Sequence, residues 1–132
     1  MGVNENIETV RSFYGAGASD LDDSERYPFA DPNIVWHVPG ANHVSGRYEG
    51  VDAVFEQMPA SMQPLDEWAI ELVDVIGNDD LVMATVNLRG RRGDIAVDCT
   101  GGHVFRLDAT AKIVEAWGFV RDQDELDRLF DS

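Results

Sequence analysis

At 132 residues and 44% hydrophobic content the chain has the size of one domain, 1–132, with its own core, and no stretch nears the roughly 18 consecutive apolar residues of a membrane-spanning helix. Twenty-five acids against ten bases give a net charge of −15, which excludes nucleic acid and anionic membranes as partners, since both bind through clustered positive charge. A single cysteine, Cys99, excludes an internal disulfide and fits a reducing cytoplasm.

The acids are mostly aspartate, and Lys112 stands alone against nine arginines. That balance suits either a high-salt cytoplasm or a GC-rich genome; in both cases the acids form a solvated surface. No basic stretch followed by an apolar run opens the chain, so no secretory signal is expected.

In chain order, Asn4 to about Ala16 predicts a helix, with Asn4 or Asn6 as cap and Ile7, Val10, Phe13 and Tyr14 at helical spacing. Asp20 to Tyr27 predicts a short acidic helical turn closed by Pro28 and Pro32. Asn33–Val38 predicts a strand with Ile34, Trp36 and Val38 on one face and Val35 and His37 on the other. The turn Pro39–Asn42 follows, and Gly46–Gly50 leads into a helix from Val51 to about Met62 that ends or kinks at Pro59. From Leu65 the chain predicts long strands: Trp68–Ile76, Leu81–Arg91, Ile95–Leu107 and Lys112–Arg121. A short helix, Asp122–Phe130, closes the chain with Leu126, Leu129 and Phe130 on one side. Helices first and a strand meander after predict an α+β fold: a curved, mostly antiparallel sheet packed against three N-terminal helical segments, with a short C-terminal helix.

The strand from Ile95 places Val97, Cys99, Gly101, His103, Phe105 and Leu107 on one face, so His103 stands in an apolar stripe and Cys99 reads as a small core residue. The returning strand divides into Ile113, Glu115, Trp117, Phe119 and the smaller set Val114, Ala116, Gly118, Val120, with Asp122 just beyond. Small residues leave volume, and a histidine and an aspartate near them point to an enclosed pocket with a few polar groups.

The segments FADPNIVWHVPG (29–40), GRYEGVDAVFEQM (46–58) and HVFRLDATAKIVEAWGFVRD (103–122) together resemble the SnoaL-like and ketosteroid isomerase-like proteins of the nuclear transport factor 2-like superfamily. The resemblance implies a cone-shaped sheet and puts His37 and His103 where ketosteroid isomerase carries its two carboxylates. It puts Tyr14 within one residue of that enzyme's helix-borne tyrosine, with Phe13 competing for the place, and Asp122 near the acid–base aspartate of SnoaL-type cyclases. It also implies that Val114, Ala116, Gly118 and Val120 face the pocket, with Glu115, Trp117 and Phe119 on an outer face that is commonly a dimer interface. Histidines in place of both carboxylates depart from the isomerase pattern, and Arg89-Gly90-Arg91 lacks the Arg-x-Asp motif of limonene-epoxide-hydrolase relatives.

Catalytic candidates are therefore His103, Asp122, His37 and Tyr14, with a pocket lining of Val35, Phe55, Met58, Met62, Phe105, Ala116, Gly118 and Val120. Imidazole both donates and accepts near neutrality, which suits proton movement without a cofactor; equally, His103 can be a core histidine satisfied by a tyrosine or the backbone. Asp122 is equally suited to cap the last helix, and His43 reads as a loop residue. The three histidines lack metal-ligand spacing, so neither metal nor cofactor is expected. Two functions fit: a cofactor-free isomerase, cyclase or dehydratase on a small apolar carbonyl or polyketide-like compound, or a non-catalytic ligand-binding or dimer-scaffold protein. Catalysis requires at least two of Tyr14, His37, His103 and Asp122 to converge.

Overall fold

The computed structural model describes residues 3–15, 29–62 and 65–131, and the helical turn expected at 20–27 lies outside them. The chain runs through helix α1 (Val3–Gly15), strands β1 (Ala30–Val38) and β2 (Gly46–Glu49), and a π-helical turn (Ala53–Gln57) continuing into α2 (Met58–Ser61). Strands β3 (Glu67–Gly77), β4 (Leu81–Arg92), β5 (Ile95–Leu107) and β6 (Ile113–Val120) follow, and helix α3 (Gln123–Asp131) ends it. The strands form one curved, unclosed sheet in the order β2-β1-β6-β5-β4-β3. Every neighbouring pair is antiparallel except β1 and β6, which run parallel. This is the α+β architecture predicted.

Alternation drives the assembly. Along β4, Val82, Ala84, Val86, Leu88 and Gly90 are buried while every residue between them is exposed. They pair in register with Phe105, His103, Gly101, Cys99 and Val97 of β5, so one face of the hairpin is the core face. Two apolar clusters fill that face. One gathers Val10, Phe29, Ile34, Trp36, Val54, Phe105, Ile113 and Ala116. The other gathers Val44, Leu88, Val97, Cys99, Leu126, Leu129 and Phe130 beneath α3. Val38 and Met58 pack against both.

Several local expectations change. The first helix begins at Val3, so Asn4 and Asn6 lie inside it and neither is its cap. Asn6 instead is buried and donates from Nδ2 to the carbonyls of Asn78 (3.2 Å) and Asp79 (2.9 Å), fastening α1 to the β3–β4 turn. Asn6→Ala therefore loses two partly buried hydrogen bonds, and chemical denaturation is expected to show a loss of about 1–3 kcal/mol. The first strand begins at Ala30 and carries Pro32 within it, at a register irregularity against β6 between Ala30 and Val35. Gly46–Glu49, read as a lead-in to a helix, is an edge strand paired with β1. The helix from Val51 does distort at Pro59: proline has no N–H to close an ordinary α-helical turn, and the preceding turn widens to a π-helix. On β6, a bulge sets Ile113 opposite Leu107 and Glu115 opposite Arg106. Ile113 is thus fully buried on the core face, not grouped outside with Glu115, Trp117 and Phe119, and Val114 is the extra residue.

Candidate functional site

His103 is the centre of the inner face. Its cross-strand neighbours are Ala84 on β4 and Gly118 on β6, both small, so the ring has space on either side. Tyr14, in the last turn of α1, brings its hydroxyl to His103 Nδ1 at 2.5 Å. Trp36 meets the imidazole edge to face at 5.1 Å between ring centroids, and Phe105 tilts against it at 5.7 Å. Phe13 fills the core beside this pair, within 6.3 Å of the rings of Tyr14, Phe29, Trp36, Phe55 and Phe105. The two candidates on α1 therefore have separate tasks: Phe13 packs, and Tyr14 reaches the histidine.

Electrostatics follow from this apolar setting. Burial pushes the His103 pKa down to about 4, so the ring is neutral at physiological pH, and burial raises Tyr14 well above the usual phenol value, so its hydroxyl stays protonated. The ring is nevertheless only partly buried by accessible surface. Among the described residues Nε2 has no hydrogen-bond partner, and the one fully buried side-chain polar atom without a partner is Asn6 Oδ1. His103 as a whole residue keeps part of its surface accessible. The ring is thus held at Nδ1 by Tyr14 and set in an apolar, desolvated surrounding.

Two of the four candidates stand elsewhere. His37 pairs with Trp117 in the parallel β1–β6 register, which places it on the outer face of the sheet. There it stacks on the Trp117 ring (5.4 Å, 7°) and bonds Glu115 Oε2 through Nε2 at 2.6 Å, while Arg106 reaches Glu115 Oε1 at 3.3 Å. The hydrogen bond from His37, with Arg106 adding to it, holds Glu115 below the usual carboxylate range against the opposing effect of desolvation. Val35 shares that outer parity, so neither residue lines an inner pocket. Trp36, between them, faces inward and was missed as a site residue. The available signal was that Ile34, Trp36 and Val38 form the more apolar face of the strand. Asp122 accepts from the backbone N–H of Glu125 (3.4 Å) and precedes α3, the position of a helix N-cap. It lies four residues past Gly118 and two past the end of β6.

The lining candidates divide between the clusters. Phe55, Phe105 and Ala116 belong to the cluster around His103, Met62 and Val120 pack against the one beneath α3, and Met58 touches both. Gly118 lies against His103 itself. Among the described residues no group of three or more His, Cys, Asp and Glu is placed to hold a metal ion, and no helix is long and apolar enough to cross a membrane.

His43, expected as a plain loop residue, ties the β1–β2 loop to two helices. Its Nδ1 meets Asp131 Oδ1 at 2.5 Å and its Nε2 meets the Ser61 carbonyl at 2.7 Å. Both partners accept, so both ring nitrogens must donate, which only the imidazolium can do. Its pKa is raised, first by the hydrogen bond to Asp131 and then by that to Ser61. A raised folded-state pKa stabilises fully below the unfolded value of 6.5 and loses its effect as pH rises through the folded value. The side chains are about half exposed, which keeps the stability effect small. An NMR titration is expected to place His43 above 6.5, and Asp131→Asn should return it toward that value.

The sequences of curated proteins contain no match to this chain. Solved structures do match over nearly its whole length. Bal32a, from a soil-derived mobile gene cassette, is 24% identical with a TM-score of 0.81, covering 97% of this chain and 98% of that one. A protein of unknown function with a cystatin-like fold from Xanthomonas campestris is 25% identical with a TM-score of 0.80, covering 96% and 98%. TerC, co-crystallised with polyporic acid, is 16% identical with a TM-score of 0.77, covering 97% and 99%. Residues 10–116, from the middle of α1 through the core of β6, match the model of the SnoaL-like domain, and the chain belongs to that family.

Proposed function

We propose that this protein is a cofactor-free enzyme of the isomerase, cyclase or dehydratase type acting on a small apolar carbonyl or polyketide-like compound, with the Tyr14–His103 pair as its polar centre. The observation that carries the reading is a neutral imidazole whose Nδ1 is held by Tyr14 at 2.5 Å while Nε2 has no hydrogen-bond partner among the described residues. In this reading Tyr14 keeps its proton and its O–H donates to Nδ1, so the ring proton resides on Nε2. Nε2–H then hydrogen-bonds the carbonyl oxygen of the substrate, and the bond strengthens as negative charge develops there in an apolar surrounding. A neutral imidazole backed in this way supplies the electrophilic half of an acid–base mechanism, the role the neutral histidine plays in triosephosphate isomerase. His37 and Asp122 take no part in it.

The test is hydrogen–deuterium exchange next to the carbonyl of small enones and hydroxy-quinones in D2O, followed by NMR. Polyporic acid serves as a further binding probe because TerC was co-crystallised with it. Wild-type protein is expected to accelerate exchange, and His103→Gln to abolish it. Binding without exchange leaves the non-catalytic ligand-binding reading; neither binding nor exchange overturns both.

The proposal extends to assembly and location. Five of the six exposed large apolar side chains described, Val73, Ile76, Leu81, Met83 and Phe119, belong to the outer sheet face. A second copy packed sheet to sheet through Glu115, Trp117 and Phe119 would cover them. The unlinked, buried Cys99 thiol favours a cytoplasmic location.

A further inference from the structure

The outer face of the sheet, across from the Tyr14–His103 pair, carries a cavity of about 470 Å³ walled by Val73, Thr85, Asn87, Thr100, Phe119 and Arg121. That volume falls in the range of roughly 300–1,000 Å³ that small-molecule sites occupy. Strand pairing sets the walls in two adjacent rows. Thr85, Gly102 and Phe119 make one across β4, β5 and β6. Asn87, Thr100 and Arg121 make the next, the Arg121 N–H donating to the Thr100 carbonyl at 2.9 Å. Because Gly102 has no side chain, the Phe119 ring lies over it; a Cβ there would stand 2.7 Å from Phe119 Cζ. A bulge between Leu72 and Asp74 bends β3, and its extra residue, Val73, forms the rim.

These walls combine an aromatic ring, an aliphatic rim, three neutral polar side chains and one cation. In a chain with 25 acids against ten bases, Arg47, Arg91 and Arg106 each hold a carboxylate. The Arg121 guanidinium has neither a hydrogen bond nor an ion pair among the described residues. We propose that this cavity binds a small aromatic carboxylate, with its ring against Phe119 and Val73 and its carboxylate on Arg121. The planar guanidinium fork matches a carboxylate through two parallel bonds, and the hydroxyls and amide of Thr85, Thr100 and Asn87 can donate to the lone pairs left over. Phe119 and Arg121 are alternate residues of one chain, about 7 Å apart along it, so one small ligand reaches both. The sheet separates this site from the inner pair, and the proposal does not depend on any chemistry there.

The experiment titrates 2-naphthoate into the protein by calorimetry and follows backbone amides by NMR. Phe119 also belongs to the face proposed to meet a second copy, so the titrations use dilute protein, in which a monomer leaves that face free. Wild type is expected to bind one equivalent and to shift the amides of Thr85, Thr100, Phe119 and Arg121. Arg121→Gln should weaken naphthoate about tenfold or more, the scale of a lost hydrogen bond to a charged group. The neutral isostere 2-naphthamide should bind wild type about as weakly as naphthoate binds that variant. Phe119→Ala should weaken both compounds. Arg121 and Phe119 are exposed, so both variants should melt within a few degrees of wild type. Equal wild-type affinities for naphthoate and naphthamide, undiminished binding by Arg121→Gln, or no saturable binding at all overturns the site. Binding lost in His103→Gln but kept in Arg121→Gln places the acid at the inner pair, which rejects the outer site and leaves the proposed function standing.

Discussion

Trp117→Arg is expected to convert the proposed dimer into a monomer, with the dissociation constant rising at least a hundredfold. The register sets Ile76, Met83, Val104 and Trp117 in one row across β3, β4, β5 and β6, and His37 of β1 stacks on the end of it. Ile76 is 60% exposed and Met83 38% exposed, and Phe119, one row away, is 40% exposed. So much apolar surface on a single face of a small sheet favours burial against a copy of itself. An arginine in the middle of that row would bring unpaired charges into a desolvated contact, and it would also remove the stacking partner of His37. Light scattering across micromolar concentrations checks the result. A wild-type protein already monomeric in that range removes the assembly proposal and leaves the inner site untouched.

The second large effect concerns the inner pair. Tyr14→Phe strands Nδ1 of His103 among Trp36 and Phe105 and is expected to reduce stability by about 1–3 kcal/mol, because a buried acceptor loses its partner. It also frees the ring to place its proton on Nδ1, so carbonyl binding at Nε2 should weaken at least tenfold. His103→Leu should cost a similar stability by stranding the Tyr14 hydroxyl. The double variant Tyr14→Phe/His103→Leu leaves neither partner stranded and is expected to be more stable than the two single losses predict, by about 1–2 kcal/mol. It should nevertheless bind no carbonyl ligand. Denaturation curves and titrations of all four proteins separate the two contributions. Additive losses, or ligand binding retained by the double variant, would contradict the role assigned to the pair.

Much of this was legible in the residues because the physics is local. Alternation from Ile95 to Leu107 pointed to the core face of that strand, and with it to the inward position of His103. Pro59 marked the helix distortion. What the sequence left open depended on partners far away in the chain. Whether Val35 and His37 or Ile34 and Trp36 face inward is decided by the parallel pairing of β1 with β6, which no pattern within residues 33–38 reports. The bulge that turns Ile113 inward is likewise a property of two strands together. Asp122 carried two readings because an aspartate ahead of a helix serves equally well as cap or acid; the bond to the Glu125 N–H marks it as the cap. The choice between Phe13 and Tyr14 depended on a sub-turn rotation of α1, finer than helical periodicity resolves.

The central claim is that His103 is neutral, carries its proton on Nε2 and presents it to a carbonyl oxygen. Long-range proton–nitrogen NMR of the imidazole reads all three directly. With the folded pKa at about 4, the His103 signals should be those of the neutral Nε2–H tautomer at pH 7 and should stay so until the pH falls below 5. Because that value lies below the unfolded 6.5, acidification through this window destabilises the fold, as the unfolded chain takes up a proton that the folded ring refuses. Adding chromone or a hydroxy-quinone should move the Nε2 resonance while Nδ1, held by Tyr14, changes little. An imidazolium at pH 7, an Nδ1–H tautomer, or a bound ligand that leaves Nε2 unmoved would contradict the account.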